Sequence, residues 1–471
     1  MHNIKHHLRL LAVIVLLPLA MLHAADRPNI IVVLVDDMRF DQMSNVGHPY
    51  IETPTLDAMA KEGMSLNRLY CNTPLCGPNR ACLYSGRHTP QTGRLDNGVY
   101  PDSWDMYLPT AFKDAGYTTA LLGKSYERIS DDLERESYDY TVLNGGPDWS
   151  KYSGPAGDKQ ARSEFYDNNT YIDQNYHVNG KTMVIEGHQT NILFDHLAEF
   201  TTKQGSKPFF AIINPFAPHT PLNPSEANAG KHAGKGIPPR PNQEWDVGTM
   251  KNPKNRESIT EVHEKTCEMI QDVDTALGRL IQQLKDNGQW ENTILMFSSD
   301  NGSMHGEHGC WWKRQHWEEC IKVPLIVTWP GKVAAGSTSD ALIMMSDLLI
   351  TCADAGQVEL PADPKRHGES FLPVLLGNSA VHREHVVALQ LAKDKPNPLS
   401  WAVLIDRDLN KYTWHVDKTP QREDLGPIFL NDLTEDPYEM NNLIDTKADL
   451  AARMRGTLKQ ELNKLELAND L

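Results

Sequence analysis

Five apolar runs restrict the class of fold this chain can adopt. NIIVVLV ends at Val35 before Asp36 and Asp37; TTALLG runs into Gly123 and Lys124; FFAIINPFAP runs into Pro218 and His219; TILMFSS runs into Asp300 and Asn301; VPLIVTWPG closes the series at Gly331. These runs lack polar alternation, the pattern of strands covered on both faces, as in parallel sheets. Between them lie helical repeats. Met269, Ile270, Val273, Ala276, Leu277, Leu280, Ile281 and Leu284 recur at helical spacing, and Gly288 stops the run. Alternating strands and helices predict an α/β fold, a mostly parallel sheet flanked by helices. Ligands of such sheets gather at the carboxyl ends of the strands. One polar residue at a strand end reads as a solvated loop side chain; four strands delivering Asp, Lys, His and Asn to one edge read as a site.

After Asn378 the texture changes. HVVALQLA, SWAVLIDRD and KYTWHV are short and alternating, and Leu450, Met454, Leu458 and Leu462 then share a helical face. This predicts a smaller C-terminal subdomain, an antiparallel sheet plus a helix. At the other end, Lys5 and Arg9, the run LRLLAVIVLLPLAMLHA and small residues at Ala24 and Ala25 form the three-part pattern of a secretory signal peptide. The expected organisation is a signal peptide over 1–24, a catalytic domain over 25–378 and the subdomain over 379–471. Pro18 and the short apolar run argue against a permanent span, which needs ~20 apolar residues. The expectation is a secreted or periplasmic protein with no stable membrane insertion after cleavage; an uncleaved anchor is the rival reading. A net charge of −16 makes the chain a poor general binder of nucleic acid. An anionic substrate therefore requires locally concentrated positive charge.

The stretch LCGPNRACLYSGR, Leu75 to Arg87, carries the most specific chemistry. Pro78 and Asn79 can open a helix that Gly86 ends, which puts Cys76 at or just before a helix N-terminus. Backbone N–H groups there favour negative charge, and Arg80 on the first turn adds a planar cation suited to oxyanions. Two readings stand at this point: an attacking group supported by these charges, or a plain disulfide with Cys71 or Cys82. The chain has 7 cysteines. In an oxidising compartment an odd number leaves at least one free, paired with another chain or chemically changed.

Cys76 to Arg87 resembles the sulfatase signature, Cys-x-Pro-x-Arg with a Gly-Arg end. The likeness extends in order along nearly the whole chain. Asp36-Asp37 is similar to the family's N-terminal metal strand, Gly123-Lys124 to its Gly-Lys motif, and Pro218-His219-Thr220-Pro221 to its Pro-His-x-Pro motif. Asp300-Asn301-Gly302, Gly306-Glu307-His308-Gly309 and Lys313 resemble its central block, and Asp432 to Leu443 its closing motif. The resemblance implies an alkaline-phosphatase-like fold and a Cys76 oxidised by a formylglycine-generating enzyme to formylglycine, whose hydrate is a gem-diol. It also implies a divalent cation held by Asp36, Asp37, Asp300, Asn301 and residue 76. Hard oxygen ligands suit Ca²⁺, with Mg²⁺ the alternative. One hydroxyl of residue 76 would attack sulfur and the other would then expel sulfate. Arg80 and Lys124 would steady the nucleophile, while Lys313 and His219 would hold the sulfate and protonate the leaving alcohol. If Cys76 is converted, six cysteines remain. Cys71 with Cys82 and Cys310 with Cys320 are then candidate local pairs, and Cys267 and Cys352 read equally as buried free thiols. The HGEHG run at His305 to Gly309 has a rival reading as a zinc site.

Two positions depart from the family pattern. Tyr126 stands where a histidine is common, so either another group, with His88 (also a candidate substrate-binding residue) the candidate, takes the proton or turnover is altered; Asn79 stands where serine or alanine is common. The polar, aromatic segment 134–207, with Tyr138, Tyr140, Trp149, Tyr152, Phe165, Tyr166, Tyr171 and Tyr176, reads either as a sugar-binding insert or as structure, as do Trp311 and Trp312. The expected substrate is a sulfated carbohydrate, and the subgroup resemblance is to iduronate-2-sulfatase-like members. Two alternatives remain: a phosphonate or phosphodiester hydrolase of the same fold, and a catalytically silent secreted glycan-binding relative.

Overall fold

The computed structural model describes residues 27–99, 106–124, 136–147, 170–243, 258–392, 399–416 and 428–467. The expected signal segment, Tyr126, and Trp149, Tyr152, Phe165 and Tyr166 of the aromatic segment lie outside the described residues. A ten-stranded sheet organises the chain. Its strands are β1 (Asn29–Val35), β2 (Met64–Leu66), β3 (Thr118–Gly123), β4 (Tyr140–Pro147), β5 (Ile172–Val178), β6 (Lys181–His188), β7 (Phe209–Asn214), β8 (Thr293–Ser299), β9 (Leu325–Thr328) and β10 (Ser337–Ser339). Their spatial order is β10-β2-β9-β8-β1-β7-β3-β4-β5-β6. The centre is parallel, as the unbroken apolar runs predict: Val32 of β1 pairs with Ile212 of β7 and Met296 of β8, and β3 runs parallel to β7 and β4. The last apolar run departs from this pattern. β9 is antiparallel to β8, so its carboxyl end points away from the edge that the other four strands share.

Both faces of the sheet are covered. Ile30, Val32 and Leu34 face a core built with α2 (Cys76–Ser85), α3 (Leu108–Asp114) and α6 (Leu348–Ala355). Ile31, Val33 and Val35 face a second core with α1 (Pro54–Glu62), α4 (Gln189–Gln204) and α5 (Ile259–Asp286). The helical repeat around Met269 begins earlier than its apolar pattern, because Ser258 and Glu261 form a capping box. Gly288 sits past its end at φ 67°.

Beyond it, β11 (His385–Leu391), β12 (Leu399–Asp406), β13 (Asn410–His415) and β14 (Ile428–Asp432) form an antiparallel meander, and Met454, Leu458 and Leu462 of α7 (Ala448–Lys464) pack on it. Buried Lys411 ties this sheet to the closing motif, with Nζ 2.6 Å from Glu439 and 3.6 Å from Glu318. Among the described residues no helix is long and apolar enough to cross a membrane.

Candidate active site

The carboxyl ends of the adjacent strands β8, β1, β7 and β3 meet at one edge, cross-tied by backbone bonds from Asp300 to Val35 (3.1 Å), Asp36 to Ala217 (3.2 Å) and Lys124 to Asn214 (2.8 Å). Two glycines make the approach feasible. Gly123 has φ 96° and a Cβ there would lie 2.1 Å from the Asn214 carbonyl; at Gly302 a Cβ would lie 2.1 Å from that of Glu319. Asp36 and Asp37 follow β1 directly, and Asp37 takes φ 71°, a strained conformation that turns its carboxylate into the cluster.

α2 begins at Cys76, with Leu75 as its N-cap and Gly86 its left-handed C-cap, as the spacing of Pro78 and Gly86 predicts. Cys76 is buried, its Sγ 3.0 Å from Asp36 Oδ1, 3.7 Å from Asp37 Oδ1 and 2.7 Å from Lys313 Nζ. Lys313 also reaches Asp37 Oδ1 at 2.5 Å, and Lys124 pairs with Asp36 Oδ2. Arg80 Nε donates to Asp300 Oδ2 at 2.8 Å, and its Nη2 lies 3.6 Å from Asp36. His219 Nε2 lies 3.8 Å from Asp37 Oδ2. The structure thus gathers Cys76, Arg80, Lys124, His219, Lys313, Asp36, Asp37, Asp300 and Asn301 from distant parts of the chain.

Burial would raise the Asp36 carboxyl, but Lys124, Lys313 and Arg80 together hold it well below the usual range. Asp37 and Asp300 are both raised, by burial first, with Asp36's charge adding to it. Despite burial, Lys124 is raised by Asp36, and Lys313 well above the lysine range by Asp37. Both stay charged at neutral pH. Burial and then Lys313 push His219 down to about 3, so its ring is neutral. Its Nδ1 donates to the Thr220 carbonyl, which leaves Nε2 as an acceptor facing the cluster. Burial, Asp300 and Asp36 push the Cys76 thiol well up, so an unmodified cysteine here is a protonated, weak nucleophile.

The cluster fits a hard divalent cation. Asp36, Asp37, Cys76 and Asp300 each offer a ligand atom within 4.8 Å of the others. Asp37 Oδ2 and Asn301 Oδ1 are buried oxygens with no hydrogen-bond partner among the described residues. Buried unpaired acceptors beside raised carboxyls are what additional positive charge would stabilise.

Other expectations fall differently. His88 does not face this cluster as a free group. It caps the short helix Thr89–Thr92, where Nδ1 accepts from Thr89 N–H at 2.9 Å, and Nε2 donates to the Val387 carbonyl at 2.9 Å. All seven cysteines are buried and none is in a disulfide, so neither candidate pair forms. Cys71 Sγ donates to the Asp300 carbonyl at 3.3 Å, and Cys82 Sγ to Pro78. The odd count therefore carries no information about Cys76; its surroundings do. The two histidines of HGEHG do not form a zinc site together. His308 stacks on Trp317 at 3.7 Å, His305 contacts His263, and Glu307 pairs with Arg39 at 2.7 Å. Within the described part of the aromatic segment, Tyr138, Tyr171 and Tyr176 are core residues.

Three residues have supporting roles that the sequence reading did not assign. Tyr171 O–H donates to the His219 carbonyl at 2.6 Å. Asn97 Oδ1 accepts from Gly77 N–H at 2.8 Å, fixing the start of α2. Asn79 accepts from Asn72 N–H (2.9 Å) and donates to the Asp300 carbonyl (2.5 Å), tying α2 to the end of β8. Asn79 was visible as a departure from the signature and Tyr171 only as one of the aromatic segment; Asn97 lies in a segment with no motif to mark it.

Burial makes the fold acid-sensitive. It pushes His88 down to about 3 and His415 to about 4. The unfolded chain, with histidine near ~6.5, binds protons that the folded state refuses, so stability is full above that pH and falls as pH drops. Each such histidine should cost about 2 kcal/mol between pH 7 and pH 5. Denaturant unfolding at the two pH values checks this, and His88→Gln should remove about 2 kcal/mol of the difference.

The comparisons with known proteins agree with this geometry. The family model described as sulfatase matches residues 28–358, and the model for the C-terminal part of N-sulphoglucosamine sulphohydrolase matches 306–468. An N-acetylglucosamine-6-O-sulfatase of Bacteroides thetaiotaomicron is 27% identical, over 97% of this chain and 91% of its own. A structure solved with its substrate D-glucosamine-2-N,6-O-disulfate superposes with TM-score 0.76 at 24% identity, over 93% of this chain and 98% of that one. A phosphonate monoester hydrolase of Agrobacterium radiobacter shares the fold, with TM-score 0.71 at 22% identity over 93% and 95%. With the matched model spanning most of the chain and its motifs meeting at one strand edge, this chain belongs to the sulfatase family and is a sulfuric ester hydrolase.

Proposed function

We propose that this enzyme removes a 6-O-sulfate from an amino sugar of a sulfated glycan, using formylglycine made from Cys76 and a cation, Ca²⁺ before Mg²⁺, held by Asp36, Asp37, Asp300 and Asn301. The observation that carries the reading is the position of Cys76 Sγ, between the Asp36 carboxylate and the Lys313 ammonium at a buried helix N-terminus. The sugar and its position rest on the name of the Bacteroides relative. This replaces the iduronate-2-sulfatase-like subgroup as the reading to test. Residues 1–24 are proposed as a secretory signal removed from the mature enzyme, which acts outside the cytoplasm.

Formylglycine hydrate would supply two hydroxyls on one carbon, so one side chain can both attack sulfur and release sulfate. The bound cation would supply charge that polarises a sulfate oxygen and favours an ionised hydroxyl. The chain's own groups do the rest. Arg80 has two buried Nη atoms without hydrogen-bond partners among the described residues and stands one helical turn from residue 76, placed to steady an oxyanion. Lys124 and Lys313 hold sulfate oxygens with permanent charge. Lys313, an ammonium kept charged by Asp37, donates a hydrogen bond to the leaving oxygen, whereas His219 is neutral with its one N–H committed to Thr220. His219 Nε2 instead accepts from a hydroxyl of substrate or of residue 76.

The test is release of sulfate from N-acetylglucosamine 6-sulfate beside iduronate 2-sulfate, an aryl sulfate and an aryl phosphonate. The account expects the amino-sugar sulfate to be the preferred substrate. A preference for the phosphonate would favour the phosphorus-ester reading, and binding without any release would favour the silent glycan binder.

A further inference from the structure

A second group of ligand-type side chains lies away from the carboxylate cluster. His263 and Cys267 sit four residues apart on α5, so they share one helix face. His48 comes from the loop before α1. One ring nitrogen each of His48 and His263 and the Cys267 Sγ all lie within 4.8 Å of one another. The His48 and His263 Nε2 atoms are 3.3 Å apart, and Cys267 Sγ is 4.0 Å from His48 Nε2. Two nitrogens each ~2.0–2.1 Å from a tetrahedral ion stand about 3.3 Å apart, and a nitrogen and a thiolate sulfur about 3.6 Å apart. The observed edges come near both, the sulfur being slightly long.

The surroundings also match a metal site. His263 Nδ1 lies 3.0 Å from His305 Nδ1, the contact that fixes a ligating imidazole's orientation from behind. His48 is held down to about 4 and His305 to about 3, burial being the main cause in both. These imidazoles are therefore neutral at pH 7, with lone pairs to offer. Tyr50 meets His48 edge-on at 4.7 Å and walls one side. Arg39 and Arg240, the nearby cations that would oppose a metal, are engaged, Arg39 by Asp41 at 3.0 Å and Glu307 at 2.7 Å and Arg240 by Asp41. One contact must yield: Ile51 N–H points at His48 Nδ1 from 3.3 Å, and coordination through Nε2 puts a proton on that nitrogen. At that distance the bond is already longer than normal.

We infer that His48, His263 and Cys267 form a second cation site, chemically distinct from the carboxylate cluster and suited to a borderline-soft divalent ion of the zinc class. Imidazole and thiolate select such ions, whereas the carboxylate cluster selects hard ones. Three protein ligands leave the fourth position to water, and half-buried His48 provides the way in. Binding converts the Cys267 thiol to a thiolate and releases its proton to solvent. The ion would join α5 to the loop before α1 and, through His305, to the hairpin Met304–His305/Trp311–Trp312 that precedes Lys313. It would thus brace a catalytic loop without touching substrate.

Cobalt tests this without relying on activity. The protein should carry Cys76→Ala, which removes the other buried thiol near metal-type ligands, and be saturated with calcium to fill the carboxylate cluster. Titration with Co²⁺ should then give a thiolate-to-cobalt charge-transfer band in the near ultraviolet that saturates at about one ion per chain. Adding Cys267→Ala should abolish the band, and adding His48→Ala should weaken Co²⁺ binding at least about tenfold. His48 is half-buried, so that variant settles the matter if the Cys267 variant fails to fold. No band in the Cys76→Ala protein, a band that survives loss of Cys267, or His48→Ala binding unchanged would overturn the inference.

Discussion

Cys76→Ala should reduce sulfate release by about 10⁴-fold or more while leaving the fold intact. The substitution removes a small buried side chain at the first position of α2, where alanine suits a helix, so it should cost little stability. What it removes is the sulfur whose loss, with oxidation of Cβ, would give formylglycine. Cys76→Ser separates the roles further. A serine hydroxyl can occupy the same place between Asp36 and Lys313, but with a single oxygen on Cβ it cannot expel sulfate after attack. The serine variant should therefore stop after at most one turnover, holding sulfate covalently on residue 76. Steady-state release of sulfate by both variants, with circular dichroism to confirm folding, checks the prediction. Either variant retaining more than about a tenth of wild-type turnover would exclude residue 76 as the nucleophile.

Arg80→Ala should be the most damaging change to stability at the site, at about 3–5 kcal/mol in calcium-free buffer. Arg80 is 1% exposed, and its guanidinium faces both Asp300 and Asp36. In the described cluster three carboxylates are balanced by three permanent cations, Arg80, Lys124 and Lys313. Removing one leaves buried negative charge without a partner, the situation that makes half of a buried pair so costly. Added calcium should restore part of the loss by mass action. Arg80→Lys should not rescue activity, because a lysine ammonium cannot reproduce the forked contacts. Urea unfolding with and without calcium reads both effects, and an Arg80→Ala protein as stable as wild type in chelator would contradict the charge accounting.

Much of the architecture is legible from local pattern. The apolar runs ending at Val35, Gly123, Asn214 and Ser299 are strands of the sheet's parallel centre because both faces of each are buried, and burial on both faces is what abolishes polar alternation. The start of α2 was readable because Pro78 and Gly86 act on backbone conformation directly. The direction of β9 was not readable: a fully buried antiparallel strand carries the same apolar composition as a parallel one. The disulfide expectations failed for a related reason. Spacing along the chain says which cysteines are near in sequence, whereas Cys71 turns to the Asp300 carbonyl and Cys82 to its own helix. His88 looked chemical by type and position, but both ring nitrogens serve backbone groups, a use invisible without coordinates. The cluster of His48, His263 and Cys267 joins segments more than two hundred residues apart, and the sequence reading held Cys267 only as a buried thiol.

The most direct measurement is mass spectrometry of the tryptic peptide Leu69–Arg80 from enzyme made in its natural host and shown to be active. Alkylation before digestion labels any free thiol, and Cys71 in the same peptide is an internal control. The account predicts one alkylated cysteine at 71 and, at position 76, an unlabelled residue whose mass corresponds to replacing CH₂SH by CHO. Fully active enzyme with an alkylated, unmodified Cys76 would contradict it.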